Sequence, residues 1–112
     1  MPRYVPNRGD VVWINFDPQA GHEQKGRRPA LIISPREYNA PSGLALCCPI
    51  TSQIKGYPFE VPASSAEGIR GVILSDQVRN VDWRARKARF ITHVSPECVD
   101  DVLAKIEALI GR

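Results

Sequence analysis

The sequence predicts a mostly β fold, a small antiparallel β-barrel with one C-terminal α-helix. Two observations carry that prediction. Short runs rich in β-branched and aromatic residues recur between Gly, Pro and Ser breaks, the spacing of a small barrel rather than of a parallel sheet. The one stretch with clear helical apolar spacing comes last, so no crossover helix is available to join parallel strands. At 112 residues the chain reads as a single domain. It is large enough for its own core and small enough that a second copy would help cover apolar surface.

The elements follow in order. Gly9-Asp10 opens onto Val11 to Phe16, a first strand stopped by Asp17-Pro18. The segment from Gly21 to Arg28 reads as a mobile charged loop, and Pro29 to Ser34 as a buried second strand, antiparallel to the first. Arg36 to Gly43 is polar and turn-rich, with room for one helical turn. Leu44 to Thr51 is a nearly continuous apolar run and reads as the central strand. Pro49 within it predicts a bulge or strand end there, with Thr51-Ser52 exposed just beyond. Lys55-Gly56 makes a turn, after which Phe59 to Val61, Gly71 to Leu74, Gln77 to Val81 and Lys87 to Val94 supply short strands. In the last element Ser95 suits an N-cap, Pro96 the first helical position, and Glu97, Asp100 and Asp101 the positive helix end. Val99, Val102, Leu103, Ile106, Leu109 and Ile110 fall on one face, and Gly111 ends the helix.

Composition narrows the function classes. Net charge is only +3, but Arg79 to Arg89 (RNVDWRARKAR) holds five basic residues against the single acid Asp82. That run can bind phosphates, with Trp83 or arginine planes stacking on bases; it can equally form a dimer surface, a site for an acidic partner segment, or a solvated face. Trp13 reads as core, given its strand neighbours. The cysteines are Cys47, Cys48 and Cys98. Adjacent strand residues point to opposite faces, so this spacing suits neither a disulfide nor a zinc knuckle, and it fits packing thiols in a reducing compartment. No apolar run resembles a signal peptide or a membrane span, so the expected protein is soluble, cytoplasmic and not membrane-bound. Serine-hydrolase chemistry has no His/Asp partners to support it, a nucleotide-type glycine loop lacks its strand-to-helix setting, and no metal or cofactor is expected.

The densest chemistry lies in Gly21 to Pro29 (GHEQKGRRP). Arg28 stands where this loop meets the second strand, and a guanidinium offers a rigid fork of donors matched to phosphate oxygens. Imidazole is a common proton shuttle, but His22 and His93 read as a loop residue and a strand residue, not as catalysts. Tyr57 and Phe59, flanking Pro58, can line a groove, though packing is the commoner use of such a pair.

Many pieces in order then carry a resemblance: Gly9-Asp10-Val11-Val12-Trp13, Phe16-Asp17-Pro18, Gly21 with Glu23-Gln24, Gly26, Arg28-Pro29-Ala30, Ser34-Pro35, Lys55 to Val61 (KGYPFEV), Asp76-Gln77-Val78 and Trp83-Arg84-Ala85-Arg86. Together they span nearly the whole chain, which resembles the MazF/PemK-type toxins of bacterial type II toxin–antitoxin systems. That resemblance implies a homodimeric SH3-like barrel that cuts single-stranded RNA at short sequences without a metal and is silenced by a cognate, MazE-like antitoxin. It places Arg28 and Thr51 at the family's catalytic positions, with Glu23 the nearest candidate base. It sets Gln77 and Lys55 on or near the RNA groove, and Ser52, Asp76, Arg84 and Arg86 join them as candidate RNA contacts. The implied reaction is attack of a ribose 2′-OH on its neighbouring phosphate. Arg28 can stabilise the charge, but arginine is a poor proton shuttle, so the base and the acid stay open at this point. Two competing readings share the barrel: a CcdB-like toxin that binds DNA gyrase without catalysis, and a binding barrel whose catalytic groups are idle.

Overall fold

The computed structural model describes residues 3–17, 21–22, 26–64 and 66–111. Among them lie strands β1 (Asp10–Asn15), β2 (Arg27–Ile32), β3 (Leu44–Thr51), β4 (Glu60–Pro62), β5 (Val72–Leu74), β6 (Arg79–Asp82) and β7 (Arg89–His93). Helix α1 (Arg36–Ser42) precedes β3, and α2 (Pro96–Leu109) closes the described chain. Every pairing is antiparallel, in the order β4-β5-β3-β2-β1-β7.

Strand β3 is the hub. One edge pairs with β2, while the other pairs with β6 along Leu44 to Cys47 and with β5 along Ile50 and Thr51. Alternation along this strand builds two cores. Ala45 and Cys47 join Val12, Ile14, Phe16, Ala30, Ile32, Val81 and Trp83 in one core. Cys48 and Ile50 join Val11, Leu31, Val61 and Ile73 on the other face, where Val99 and Val102 of α2 cover them. The adjacent thiols thus face different cores, as their spacing predicts, and burial pushes the Cys47 thiol up to about 12. At the barrel's end the Asn15 amide donates to the Arg86 carbonyl at 3.1 Å, tying β1 to the turn between β6 and β7. Helix α2 starts as expected, with the Ser95 hydroxyl accepting the Cys98 amide at 3.2 Å.

Six sequence expectations change. Strand β2 begins at Arg27, so Arg28 lies within a strand and not at a hinge. The polar stretch after β2 forms the two-turn helix α1, anchored by the fully buried Asn39, whose side-chain amide donates to the Pro6 and Ser34 carbonyls. Strand β3 runs straight through Pro49, which pairs with Ala30. The proline falls between the residues paired to β6 and those paired to β5, where the strand changes neighbours and a missing N–H breaks no ladder on that side. Thr51 is accordingly a buried strand residue, not an exposed one past a bend. The tryptophans exchange roles: Trp13 is on the outer face and 38% exposed, whereas Trp83 is buried and its indole N–H donates to the Asn39 carbonyl at 2.9 Å. In α2, Leu109 and Ile110 run past the core and stay exposed.

Candidate active site

Past the end of β3 the chain bends at Ser52 and leaves the sheet, yet alternate residues still reach one side. Thr51, Gln53, Lys55, Tyr57 and Phe59, every second residue, line one cleft of about 260 Å³. Leu74, Asp76 and Gln77, from β5 and the 3-10 turn Ser75–Gln77, form the facing wall, and His22 and Glu60 complete it. The Tyr57 and Phe59 rings pack at 5.4 Å between centroids.

Thr51 is the rigid corner of this cleft. Its Oγ1 accepts the Gln53 amide at 3.1 Å, which leaves the hydroxyl hydrogen to be donated into the cleft. Gly71 presses on its backbone: a Cβ at that position would stand 2.0 Å from the Thr51 carbonyl oxygen, and the glycine φ of +118° is one that side-chain residues avoid. The start of β5 is thereby locked against the end of β3.

Arg28 comes to Thr51 through the sheet. The β2–β3 register pairs Ala30 with Pro49 and Leu31 with Cys48, and carried two residues further it sets Arg28 across from Thr51, on the face that bears Ala30 and Cys47. The neighbouring Arg27 alternates to the other side, where its guanidinium donates to the Lys87 carbonyl at 2.9 Å. Arg28 is half-buried and is not itself among the residues walling the cleft; it stands one strand away.

The remaining candidates divide. Lys55, Asp76 and Gln77 are in the cleft, and Ser52 is exposed beside Thr51. The Asp76 carboxyl is pushed above the ordinary carboxylate range, first by desolvation and then by the Glu60 charge, with a backbone hydrogen bond opposing. Arg84 and Arg86 lie on the β6–β7 turn, away from the cleft walls. Arg84 covers the Trp83 ring at 5.0 Å, and Arg86 donates to the carbonyls of Asn15 and Asp17 at 3.0 and 3.1 Å. Glu23 lies outside the described residues. The cleft adds Gln53, Glu60 and Leu74, none of which the sequence marked as a candidate site residue although Glu60 lies within the KGYPFEV motif, and it uses Tyr57 and Phe59 as lining. Among the described residues no group of three or more His, Cys, Asp or Glu is placed to hold a metal ion, and no helix is long and apolar enough to cross a membrane.

Comparison with known proteins adds three findings. Residues 7–110 match the family described as the PemK-like, MazF-like toxin of type II toxin–antitoxin systems. The endoribonuclease toxin MazF of Escherichia coli K12 is 51% identical over 111 residues, covering 99% of each chain. The crystal structure of MazF from Deinococcus radiodurans superposes with a TM-score of 0.95 at 48% identity, covering 98% of this chain and 100% of that one. A crystal structure of a MazE–MazF complex from the same organism gives 0.85 at 42% identity, with 97% and 98% covered.

Proposed function

We propose, from the premise that this chain belongs to the PemK-like, MazF-like toxin family of type II toxin–antitoxin systems, that it is an endoribonuclease toxin cutting single-stranded RNA. One observation supports the chemistry: the β2–β3 register, which continued beyond Ala30 and Pro49 brings Arg28 toward Thr51 at the end of a cleft lined by Lys55, Asp76 and Gln77.

In the proposed reaction the 2′-OH gives up its proton, O2′ bonds to the adjacent phosphorus, and the bond to the 5′-oxygen breaks as that oxygen is protonated. The products are a cyclic phosphate and a 5′-OH. Negative charge accumulates on the phosphorane oxygens, and the two groups fixed on adjacent strands suit that demand. Arg28 supplies a permanent positive charge, and Thr51 a hydroxyl hydrogen aimed from a backbone that cannot relax away. The reaction is proposed to be metal-independent, since these donors perform the charge neutralisation a cation would otherwise supply. Lys55 and Gln77 hold the strand on either wall, and Glu23 is the nearest carboxylate in sequence for the proton transfer. A gyrase-binding toxin would have no use for an arginine facing a threonine in this way.

The working form is taken to be a cytoplasmic homodimer, silenced by a cognate antitoxin. The D. radiodurans relative crystallised as a MazE–MazF complex supports that partnership. The test is incubation with a long single-stranded RNA in excess chelator, with cuts mapped by primer extension. Discrete cuts by the wild type are expected. Arg28→Ala should lose about a hundredfold to a thousandfold in rate, the effect of removing one preorganised donor from a developing anion. Loss of dimer or fold in that variant, read by scattering and circular dichroism, would mark Arg28 as structural instead.

A further inference from the structure

We infer that Glu60 is a positioning residue of this reaction, holding the Lys55-bearing wall of the cleft in the shape that receives RNA; the inference rests on the endoribonuclease reading. The wall needs such a device. Residues 53–57 belong to no helix or strand and are exposed, yet Gln53, Lys55 and Tyr57 face the cleft in regular alternation. An exposed stretch of chain with no ladder partner would be expected to give up that order to conformational entropy.

The Glu60 carboxylate supplies the missing partner. One of its oxygens accepts the Lys55 amide at 3.2 Å and the other the Gly56 amide at 3.0 Å. Two successive N–H groups converging on one anion make a backbone nest, and the φ of +80° at Gly56 allows it. Glu60 is itself fixed, since it begins β4 and pairs with Leu74 of β5, and its amide donates to the Tyr57 carbonyl at 3.1 Å. The loop is therefore gripped from a strand through charge-assisted hydrogen bonds. This also gives a reason for a carboxylate in a phosphate-binding cleft, since the two amide N–H groups it accepts offset part of the charge that would repel the substrate.

Glu60→Ala and Glu60→Gln separate this role from the alternatives. Glutamine keeps an acceptor oxygen for the nest without the charge. Glu60→Ala should raise KM for RNA about tenfold, the scale of a lost charge-assisted hydrogen bond, while kcat stays within about threefold because Arg28 and Thr51 sit on strands. Glu60→Gln should restore part of the lost affinity, since its single acceptor oxygen can serve one of the two amides. Hydrogen exchange should accelerate at both the Lys55 and Gly56 amides in the alanine variant and at only one of them in the glutamine variant. A collapse of kcat in Glu60→Gln would overturn the inference in favour of a proton-transfer role, and an unchanged KM in Glu60→Ala would overturn it outright. A wild-type protein that binds RNA without cutting it would sink the nuclease reading instead, and the exchange measurement would still decide whether Glu60 holds the wall.

Discussion

The β6–β7 turn and the cleft wall that follows β3 make opposite use of their side chains. The turn is dense in charge, yet its groups are largely engaged. Arg86 is bound to two carbonyls, Trp83 is buried on Asn39, Arg84 lies over that indole, and Asp82 accepts the Ala85 amide at 3.0 Å. Arg79 at the start of β6 sits 5.6 Å from the Phe16 ring centre. The wall from Thr51 to Phe59 has a single formal charge, Lys55, but turns alternate side chains toward open space. A basic run marks a binding surface only insofar as its cations are not already satisfied within the fold, and here the sparser segment is the one that offers its groups.

Substitutions can break that contrast. The largest expected effect is at Trp83. Trp83→Ala should cost about 3–5 kcal/mol of stability in urea denaturation, the range for emptying a buried aromatic site. A stable, well-folded Trp83→Ala protein with impaired RNA binding would return the turn to the substrate. Arg86→Ala comes next. Removing a cation from two carbonyls should cost about 1.5–3 kcal/mol, with the salt dependence of RNA binding unchanged. Smallest in stability is Lys55→Ala, expected within about 0.5 kcal/mol of wild type. It should nonetheless weaken RNA binding and lower the slope of log affinity against log salt by about one. A Lys55 variant with the wild-type slope would remove the cleft wall from the RNA path.

Much of the fold was legible because its signals are local. Strands β1 and β3 and helix α2 stand out through β-branched runs, apolar continuity and a Ser-Pro start, and the opposed faces of Cys47 and Cys48 follow from alternation alone. Helix α1 was hidden because its anchor is not an apolar stripe but one amide, Asn39, hydrogen-bonded at full burial. The tryptophans misled for a related reason. Trp13 shares its strand with core residues but follows a register shift between Val11 and Val12 and stands exposed although Val11 is fully buried, while Trp83 is buried among arginines because a helix carbonyl satisfies its N–H. Of the candidate residues the order of motifs singled out, Thr51, Lys55, Asp76 and Gln77 line one cleft, with Arg28 outside its walls. What brings Arg28 to Thr51 is a register between strands, and what shapes the wall is a carboxylate that reaches back to two amides. Neither leaves a periodic trace in a single sequence.

One strand serves as a common partition between the two cores, and this bears on how the molecule comes apart. Loosening β3 exposes both cores together, because neighbouring residues of the same strand belong to each. Neither compartment can melt while the other stands, so unfolding is expected as one cooperative transition. Thr51 is the final residue of that partition. The corner of the cleft at Thr51 should therefore persist for as long as any of the protein remains folded, and a partly unfolded but still toxic form has no place in this architecture.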